Sequence, residues 1–428
     1  MRDVLTTQLK AARAQTDALF DLVTAEGLYE RPVSERHRLI FYVGHLETFD
    51  WNLLCRDALG HDSLNPTFER LFAFGIDPTS GNVPTDGPFD WPGMEALQVF
   101  IKQARAAVDE VIAKAPLQGW LEEGWAPRMA IEHRLMHAET LCYLLQRLDP
   151  RFKKPGPLPD VGSTPVQSSL ITIPAGVASL GLSRAAAPFR GWDNEYERNL
   201  VDVPAFRIEN LPVSNTQWLS FIEAGGYRER SLWSDDDWAW LQREHLTHPA
   251  FWRFHDGRWF WLAMFGEVPL PGDWPVYVSH AEASAYAKWK QARLPTEPQW
   301  HRAAFGSSLR TSATPMPQGN FGSVRFDPEP SGRHGPAEGA FEVHDLRANG
   351  WEWTSTVFAP FPGFTPLPFY KGYSADFFDG KHFVIKGASA RTDAVFLRPS
   401  FRNWFQPHYQ HVFAKFRLVA SDEGEGNG

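Results

Sequence analysis

The stretch that decides the fold of the first part of the chain is IEHRLMHAETLCYLLQRL, residues 131–148. Its apolar residues recur three and four positions apart, which is the period of an amphipathic α-helix. Similar patterns near residues 4–24, 35–57 and 93–115 predict three further helices. Four such helices in residues 1–150 predict a helical bundle.

A long excursion separates the second predicted helix from the third. Residues 71–92 are rich in Gly, Pro and Asp, which do not continue a helix. Excursions of this length often cover a functional site. This one contains neither Arg nor Lys, so it offers no cation of its own to a charged ligand.

The composition of the chain changes after the fourth helix. Residues 151–165 are dense in Pro, Gly and Ser and predict a linker, and the alternating stretch at 169–182 predicts the first strand of a second domain, residues 166–428. Within that domain only residues 215–226 and 279–293 have a helical pattern. We therefore predict an α+β chain, in which a four-helix bundle is followed by a domain with little regular structure.

Charge and cysteine content restrict the class of protein. The net charge is −9 over 428 residues, and no basic stripe is present that could bind nucleic acid or an anionic lipid surface. Nowhere do about 18 apolar residues run together, as a membrane span requires. The two cysteines, Cys55 and Cys142, are too few for a disulfide framework or a thiolate zinc site. We expect a cytoplasmic protein with neither nucleic acid nor membrane as a partner.

Three histidines form a candidate metal site. His133 and His137 are four positions apart in the fourth helix, so they project from one helical face. His45 lies in FYVGHLETFDWNLL, residues 41–54, in line with the apolar residues of the second helix. An isolated inward histidine is usually a hydrogen-bonded core residue, but three neutral imidazoles aimed at one point are a metal-ligand set.

The pattern H-x-x-x-H-x-E on the last bundle helix, with an earlier G-H-L-E, resembles the DinB-like domain of the ergothioneine-type sulfoxide synthases. This resemblance implies that His45, His133 and His137 bind Fe(II), with dioxygen as a co-substrate. Three neutral histidines leave coordination positions open for other ligands. Other DinB-like bundles are zinc-dependent thiol transferases or hydrolases, and that alternative stays open for the bundle alone.

The second domain resembles the formylglycine-generating-enzyme fold, which lectin-like proteins also use for carbohydrate recognition. A true formylglycine-generating enzyme works through cysteines in this domain, and this chain has none there, so that activity is excluded. Three inward histidines argue against a purely carbohydrate-binding module. The two domains together resemble the sulfoxide synthases, including their selenoneine synthase branch, along nearly the whole chain. The motifs that carry the second resemblance are residues 191–227, 275–304, 348–356, 383–389 and 401–419.

The resemblance implies hercynine, the trimethylated betaine of histidine, as the acceptor. A carbon–sulfur or carbon–selenium bond would form at the imidazole carbon between the two ring nitrogens. The permanent cation of hercynine needs aromatic faces around it. Asn403 and Trp404 in FRNWFQPHY match the pocket motif of the family, which places the lining of the substrate pocket in the second domain. Met136 stands where relatives commonly have glutamine, so the polar contacts of the betaine are expected to differ.

The identity of the chalcogen donor depends on two positions after the R-N-W motif. Synthases that use γ-glutamylcysteine resemble one another in an acidic and a basic residue there, where this chain has Phe405 and Tyr409. Neither side chain can pair with the charges of an amino-acid head group. We therefore favour a less charged donor, a selenosugar in the first place and cysteine in the second, with γ-glutamylcysteine as the remaining alternative.

The resemblance also implies a tyrosine that assists by delivering a proton or an electron. The candidates are Tyr370 and Tyr373 in PLPFYKGYSADFFDG, residues 366–380. The alternative is that both are tyrosines of a surface loop. Phe361 stands where many relatives have tyrosine. The assignment of the catalytic residue therefore stays open between Tyr370 and Tyr373.

Overall fold

The computed structural model describes residues 1–73, 85–162, 167–187, 190–306, 318–322, 325–334 and 341–421. The chain divides into two compact units, Met1–Pro157 and Leu158–Gly428. The boundary falls within the predicted linker. Of the described helices, none is both long and apolar enough to cross a lipid bilayer.

The first unit is helical, as predicted. A π-helical turn, Asn52–Asp57, continues the second helix, so its predicted end is confirmed. Its start is later than predicted because Arg38 has an extended backbone. The sequence patterns missed α3 (Pro66–Leu71), although Asn65 caps its N-terminus and Pro66 begins it. The helices are α1 (Arg2–Phe20), α2 (Leu39–Trp51), α3 (Pro66–Leu71), α4 (Met94–Lys114) and α5 (Trp125–Arg147).

A network of charged side chains, buried at Arg134, Glu47 and Asp50 and more exposed at its other end, joins the four long helices. The guanidinium of Arg134 on α5 donates to Asp50 Oδ2 at 2.7 Å and to Glu47 Oε1 at 3.1 Å, both on α2. Arg105 on α4 donates to the same Glu47 oxygen at 2.8 Å and to Asp17 on α1 at 2.7 Å. These directional contacts fix the register of α2 against α5, the two helices that carry the predicted metal ligands.

The second unit combines short helices with several small sheets. The prediction of two helices was incomplete, since α7 (Asp235–Arg243) and α9 (Glu297–Phe305) are also present. The α9 helix has a capping box between Thr296 and Gln299, a local signal that its short, polar sequence hides from a periodicity search. The helices are α6 (Asn215–Glu223), α7 (Asp235–Arg243), α8 (His280–Trp289) and α9 (Glu297–Phe305).

The stretch at 169–182, predicted as one strand, contains two, which belong to different sheets. The strands are β1 (Leu170–Ile173), β2 (Gly176–Leu180), β3 (Asn199–Val203), β4 (Phe206–Glu209), β5 (Trp252–His255), β6 (Arg258–Ala263), β7 (Gly266–Pro269), β8 (Ala292–Arg293), β9 (Gly350–Val357), β10 (Phe383–Ala388), β11 (Asn403–Phe405), β12 (Ala414–Lys415) and β13 (Val419–Ala420). Their orders in the sheets are β1-β4-β13-β8, β11-β10-β9-β12, β2-β3 and β5-β6-β7.

Large aromatic side chains fill the core of the second unit. Trp300, Trp351 and Trp353 are all buried. The indole Nε1 of Trp300 donates to Glu352 Oε2 at 3.0 Å, and Glu352 pairs with Arg417. Burying an indole requires a partner for its N–H, and this buried ion pair supplies one. At Trp300 the core is therefore held by packing together with a satisfied polar group.

Candidate functional site

The structure brings the three predicted metal ligands together inside the first unit. One ring nitrogen from each of His45, His133 and His137 can be chosen so that these atoms all lie within 4.8 Å of one another. The Nε2 atoms of His133 and His137 are 3.1 Å apart. All three side chains are buried. The three imidazoles therefore face a common point, while their role as metal ligands stays a prediction.

The orientation of His45 is set by a backbone carbonyl. Its Nδ1 donates to the carbonyl oxygen of Phe72 at 2.7 Å, which leaves Nε2 buried and without a hydrogen-bond partner among the described residues. Gly44 is required for this approach, because a Cβ there would lie 2.5 Å from the Phe72 ring. A histidine ligand commonly donates its second nitrogen to a carbonyl in this way.

Aromatic rings enclose the histidines and keep them neutral. Phe49 stacks on His133 with ring centroids 3.5 Å apart, and Phe41 stacks on His45 at 4.8 Å. Burial lowers the pKa of His45 to about 4. It also lowers the pKa of His133 and of His137 well below the ordinary value, and the neighbouring histidines add to this. Each imidazole therefore has a free lone pair at neutral pH, as a metal ligand must.

The donor set fits a resident metal ion. The buried His45 Nε2 has no hydrogen bond to the described residues, which is costly unless another group binds there. Neutral imidazoles suit iron and zinc better than they suit magnesium or calcium, which prefer oxygen ligands. The three histidines therefore fit the iron ion that the family resemblance implies.

The described ends of the predicted excursion lie beside this site. Phe72 and Trp91 have ring centroids 5.9 Å apart, and Trp91 packs edge-on against Phe41 at 6.0 Å. The indole of Trp91 donates to Asp86 Oδ2 at 2.7 Å. The middle of the excursion, residues 74–84, lies outside the described residues, so its predicted role as a cover stays a prediction.

Asp86 also forms ion pairs with two arginines that the sequence analysis did not identify. Arg38 Nε pairs with Asp86 Oδ2 at 3.1 Å, and Arg31 pairs with Asp86 Oδ1. The excursion lacks Arg and Lys itself, but residues 31–38 supply guanidinium groups to it. The guanidinium groups of Arg31 and Arg38 are both paired with the carboxylate of Asp86.

A second set of predicted site residues lies in the second unit, on β11. Trp404 pairs with Val384 of β10 and is half-buried. Its ring stacks on Phe358 with centroids 4.2 Å apart and planes 6° from parallel, and Tyr373 packs edge-on against it at 5.4 Å. The Oδ1 of Asn403 accepts from the Trp404 backbone N–H at 2.9 Å. Trp404 therefore belongs to a group of aromatic rings.

Arg402, which precedes these two residues, was not singled out from the sequence. It is buried and pairs with Glu297 at the start of α9, with Nε to Oε1 at 2.9 Å and Nη2 to Oε2 at 3.0 Å. This two-point contact anchors the beginning of β11. The sequence signal that could have identified Arg402 was its position directly before Asn403 and Trp404 in the R-N-W motif.

The two candidate tyrosines differ in their surroundings. Tyr373 is buried and stacks on Trp192 with centroids 4.0 Å apart, whereas Tyr370 is half-buried and lies 5.6 Å from the Tyr373 ring. The rings of Phe405 and Tyr409 are stacked on each other. Met136 is half-buried on α5, between His133 and His137 in sequence.

Comparison with known proteins matches each unit to a family. Residues 8–164 match the DinB superfamily, and residues 159–422 match the sulfatase-modifying factor enzyme 1-like domain. The formylglycine-generating enzyme of Mycobacterium tuberculosis is 29% identical over 45% of this chain and 75% of its own length. Both cysteines of this chain, Cys55 and Cys142, are buried in the first unit.

Full-length relatives share both domains. The hercynine oxygenase of Mycolicibacterium thermoresistibile is 34% identical, over 98% of this chain and 95% of that protein. The hercynine oxygenase of Mycobacterium tuberculosis is 36% identical, over 97% of this chain and 98% of that protein. With this identity along the full length, the chain belongs to the hercynine oxygenase family, the ergothioneine-type sulfoxide synthases, and is an oxidoreductase of that family.

Proposed function

We propose that this chain is an Fe(II)- and dioxygen-dependent enzyme that joins a sulfur or selenium donor to hercynine. The new bond forms at the imidazole carbon between the two ring nitrogens. The observation that carries the proposal is the buried cluster of His45, His133 and His137 in a member of the hercynine oxygenase family.

His45, His133 and His137 would hold the iron, which supplies the redox chemistry that dioxygen-dependent coupling requires. The same three nitrogens also suit zinc, as in a thiol transferase or hydrolase. Zinc has no accessible second oxidation state and cannot take part in a reaction that reduces dioxygen. Membership of an oxygenase family therefore favours iron over the zinc alternative.

The proposed overall reaction balances with a thiol donor and one dioxygen. The imidazole loses its C–H hydrogen and the thiol loses its S–H hydrogen as the carbon–sulfur bond forms. Both hydrogens leave with one oxygen atom as water, and the other oxygen atom ends on sulfur as a sulfoxide. Dioxygen is reduced by four electrons, two from bond formation and two from oxidation of sulfur. A selenol donor gives the same balance with selenium in the place of sulfur.

Trp404 is the residue proposed to bind the trimethylammonium group of hercynine. It is half-buried rather than part of the core, and three aromatic rings surround it, which gives a cation the π faces that it requires. Asn403 is proposed as the adjacent polar contact, and Met136 as a neighbour of the betaine that offers no hydrogen-bond donor.

Tyr373 is favoured over Tyr370 as the tyrosine that delivers a proton or an electron. Its ring contacts Trp404 directly, with centroids 5.4 Å apart, whereas the ring of Tyr370 contacts that of Tyr373. Stacking on Trp192 also restricts the Tyr373 ring, and a catalytic group needs such a fixed position.

A selenosugar is the favoured donor, with cysteine next and γ-glutamylcysteine last. Phe405 and Tyr409 form an apolar, stacked pair where a charged head group would need partners. The guanidinium groups of Arg31 and Arg38 are both paired with Asp86. A neutral sugar ring is better suited to such aromatic walls than a dicarboxylate is.

The test is anaerobic reconstitution of the full chain with Fe(II), followed by oxygen, hercynine and one donor at a time. Mass spectrometry should show a product that contains hercynine and the donor, formed only when iron, oxygen and hercynine are all present. Matched samples loaded with Zn(II) should give no product. Turnover of a thiol substrate by the zinc-loaded protein, without oxygen, would instead support a zinc-dependent transferase.

A further inference from the structure

A buried serine anchors the connection between β9 and β10, which carries both candidate tyrosines. Ser374 follows Tyr373 in sequence and is fully buried. Its hydroxyl donates to Asp193 Oδ1 and accepts from the side-chain amide of Asn194 at 2.9 Å. Because this hydroxyl is both donor and acceptor, its position is fixed from two directions.

Asp193 also binds the part of this connection that precedes the two tyrosines. The backbone N–H of Leu367 donates to Asp193 Oδ2 at 3.4 Å. Trp192, the residue before Asp193, stacks on Tyr373 with ring centroids 4.0 Å apart and an interplanar angle of 22°. Two consecutive residues, Trp192 and Asp193, therefore contact two consecutive residues of the connection, Tyr373 and Ser374.

A carboxyl group in this position has an energetic cost. Asp193 is fully buried, and burial raises its pKa to about 6. The hydrogen bonds that its carboxylate accepts from Ser374, from Leu367 and from its own turn lower the pKa, but by less than burial raises it. An apolar pair would hold the segment without that cost. Stacking alone lets a ring slide over its neighbour, whereas hydrogen bonds to both carboxylate oxygens are directional and fix the segment in place.

We propose that Asp193 and Ser374 are positioning residues that hold the Tyr373 ring edge-on to Trp404. The kinetic consequence rests on the proposed function, while the structural consequence does not. Trp404 also has contacts away from Ser374, because its ring stacks on Phe358, directly after β9, and its strand β11 pairs with β10. Loss of the Ser374 hydroxyl therefore displaces Tyr373 and leaves Trp404 in place, so that chemistry slows while hercynine still binds.

The kinetic test compares Ser374→Ala with wild type in the full-length, iron-loaded protein. We expect kcat to fall by about ten- to a hundredfold, the scale of a misplaced reacting group, with an unchanged Kd for hercynine. Ser400→Ala is the matched control, because the Ser400 hydroxyl donates to another buried carboxylate, Glu195, at 2.6 Å. This control should keep the wild-type kcat. If Ser374→Ala does not fold, Ser374→Cys tests the same point with a weak donor of similar size.

A spectroscopic test separates this inference from the proposed function. In protein labelled with 3-fluorotyrosine, the ¹⁹F resonance of Tyr373 is assigned by its loss in Tyr373→Phe. It should shift or broaden in Ser374→Ala and stay unchanged in Ser400→Ala. If wild type does not turn over hercynine, the proposed function fails, and the resonance alone decides the positioning role. A Tyr373 resonance that is identical in wild type and Ser374→Ala overturns the inference, whatever the activity.

Discussion

Phe405 and Tyr409 stack on each other with ring centroids 5.2 Å apart and planes 9° from parallel. Both side chains are half-buried, and they follow the R-N-W motif at the two positions where we expect opposite charges in an enzyme that uses γ-glutamylcysteine. The stacked pair gives this part of the protein an apolar surface in place of an ion-pairing one. Under the proposed function, donor choice is the property that this pair would affect most directly.

The first prediction is that γ-glutamylcysteine is a poor donor. Each of its carboxylates that is desolvated without a partner costs about 1–3 kcal/mol, so its affinity should be lower by one or more orders of magnitude than that of a selenosugar or a small thiol. A competition assay with all donors present, read by mass spectrometry, measures this preference. Consumption of γ-glutamylcysteine before the others would contradict it.

The second prediction follows from restoring the charges. The double variant Phe405→Asp, Tyr409→Arg should move the preference toward γ-glutamylcysteine in the same competition assay, because both ends of the head group then find partners. The single variant Phe405→Asp should shift it less. No shift in the double variant would mean that another segment, such as the excursion at 71–92, determines the donor.

The third prediction concerns the acceptor. Trp404→Ala should weaken hercynine binding by about tenfold, since a cation–π contact is worth on the order of 1–2 kcal/mol. Histidine, which lacks the trimethylammonium group, should lose much less, and calorimetric titration of both ligands measures the difference. Trp259→Ala, at another half-buried tryptophan of the second unit, is the control. Equal losses for the two ligands in Trp404→Ala would assign Trp404 a structural role only.

Helical periodicity was sufficient to predict the bundle and the convergence of His45, His133 and His137, whose role as metal ligands stays a prediction. His133 and His137 share a face because the helical period is fixed, and the apolar line through His45 turned the second helix inward. The charged network was not predictable in the same way, because α2 is buried on nearly all sides. Its pattern therefore gives no polar face, and nothing in it identifies Glu47 and Asp50 as partners of Arg134.

The second unit was predicted less completely, for a different physical reason. Motifs identified the family fold and the R-N-W segment, but the burial of Tyr373 depends on Trp192, which is distant in sequence. No local pattern encodes such a contact. For the same reason, the buried hydrogen bond between Asp193 and Ser374 could not be predicted from the sequence.

The fourth prediction concerns the stability of the bundle. Arg134→Met should lower the free energy of unfolding of the first unit by about 3–5 kcal/mol, because Glu47 and Asp50 would keep buried charges without their main partner. Chemical denaturation followed by circular dichroism measures this. Arg151→Met is the control, since Arg151 pairs with Asp149 in an exposed contact at 3.4 Å and should cost less than about 1 kcal/mol. Similar losses in both variants would contradict the role of the network.

The fifth prediction is a pH dependence of stability caused by Asp193. Because its folded pKa is raised to about 6, its contribution to stability is present below the pKa of the unfolded chain and is lost as pH rises through about 6. Asp193→Asn does not titrate, so its stability relative to wild type should increase by roughly 2–3 kcal/mol between pH 4 and pH 7. Thermal unfolding of both proteins across this range measures the difference. A constant difference would show that Asp193 is ionised throughout.

The central claim is that His45, His133 and His137 hold one iron ion, and metal stoichiometry tests it most directly. Wild type, His133→Ala and His301→Ala are reconstituted anaerobically with Fe(II), desalted and analysed for iron, with circular dichroism to confirm that each is folded. His301 is the control because it is a buried histidine of the second unit. We expect stoichiometric iron in wild type and in His301→Ala, and none in His133→Ala. Stoichiometric iron in folded His133→Ala would contradict the account.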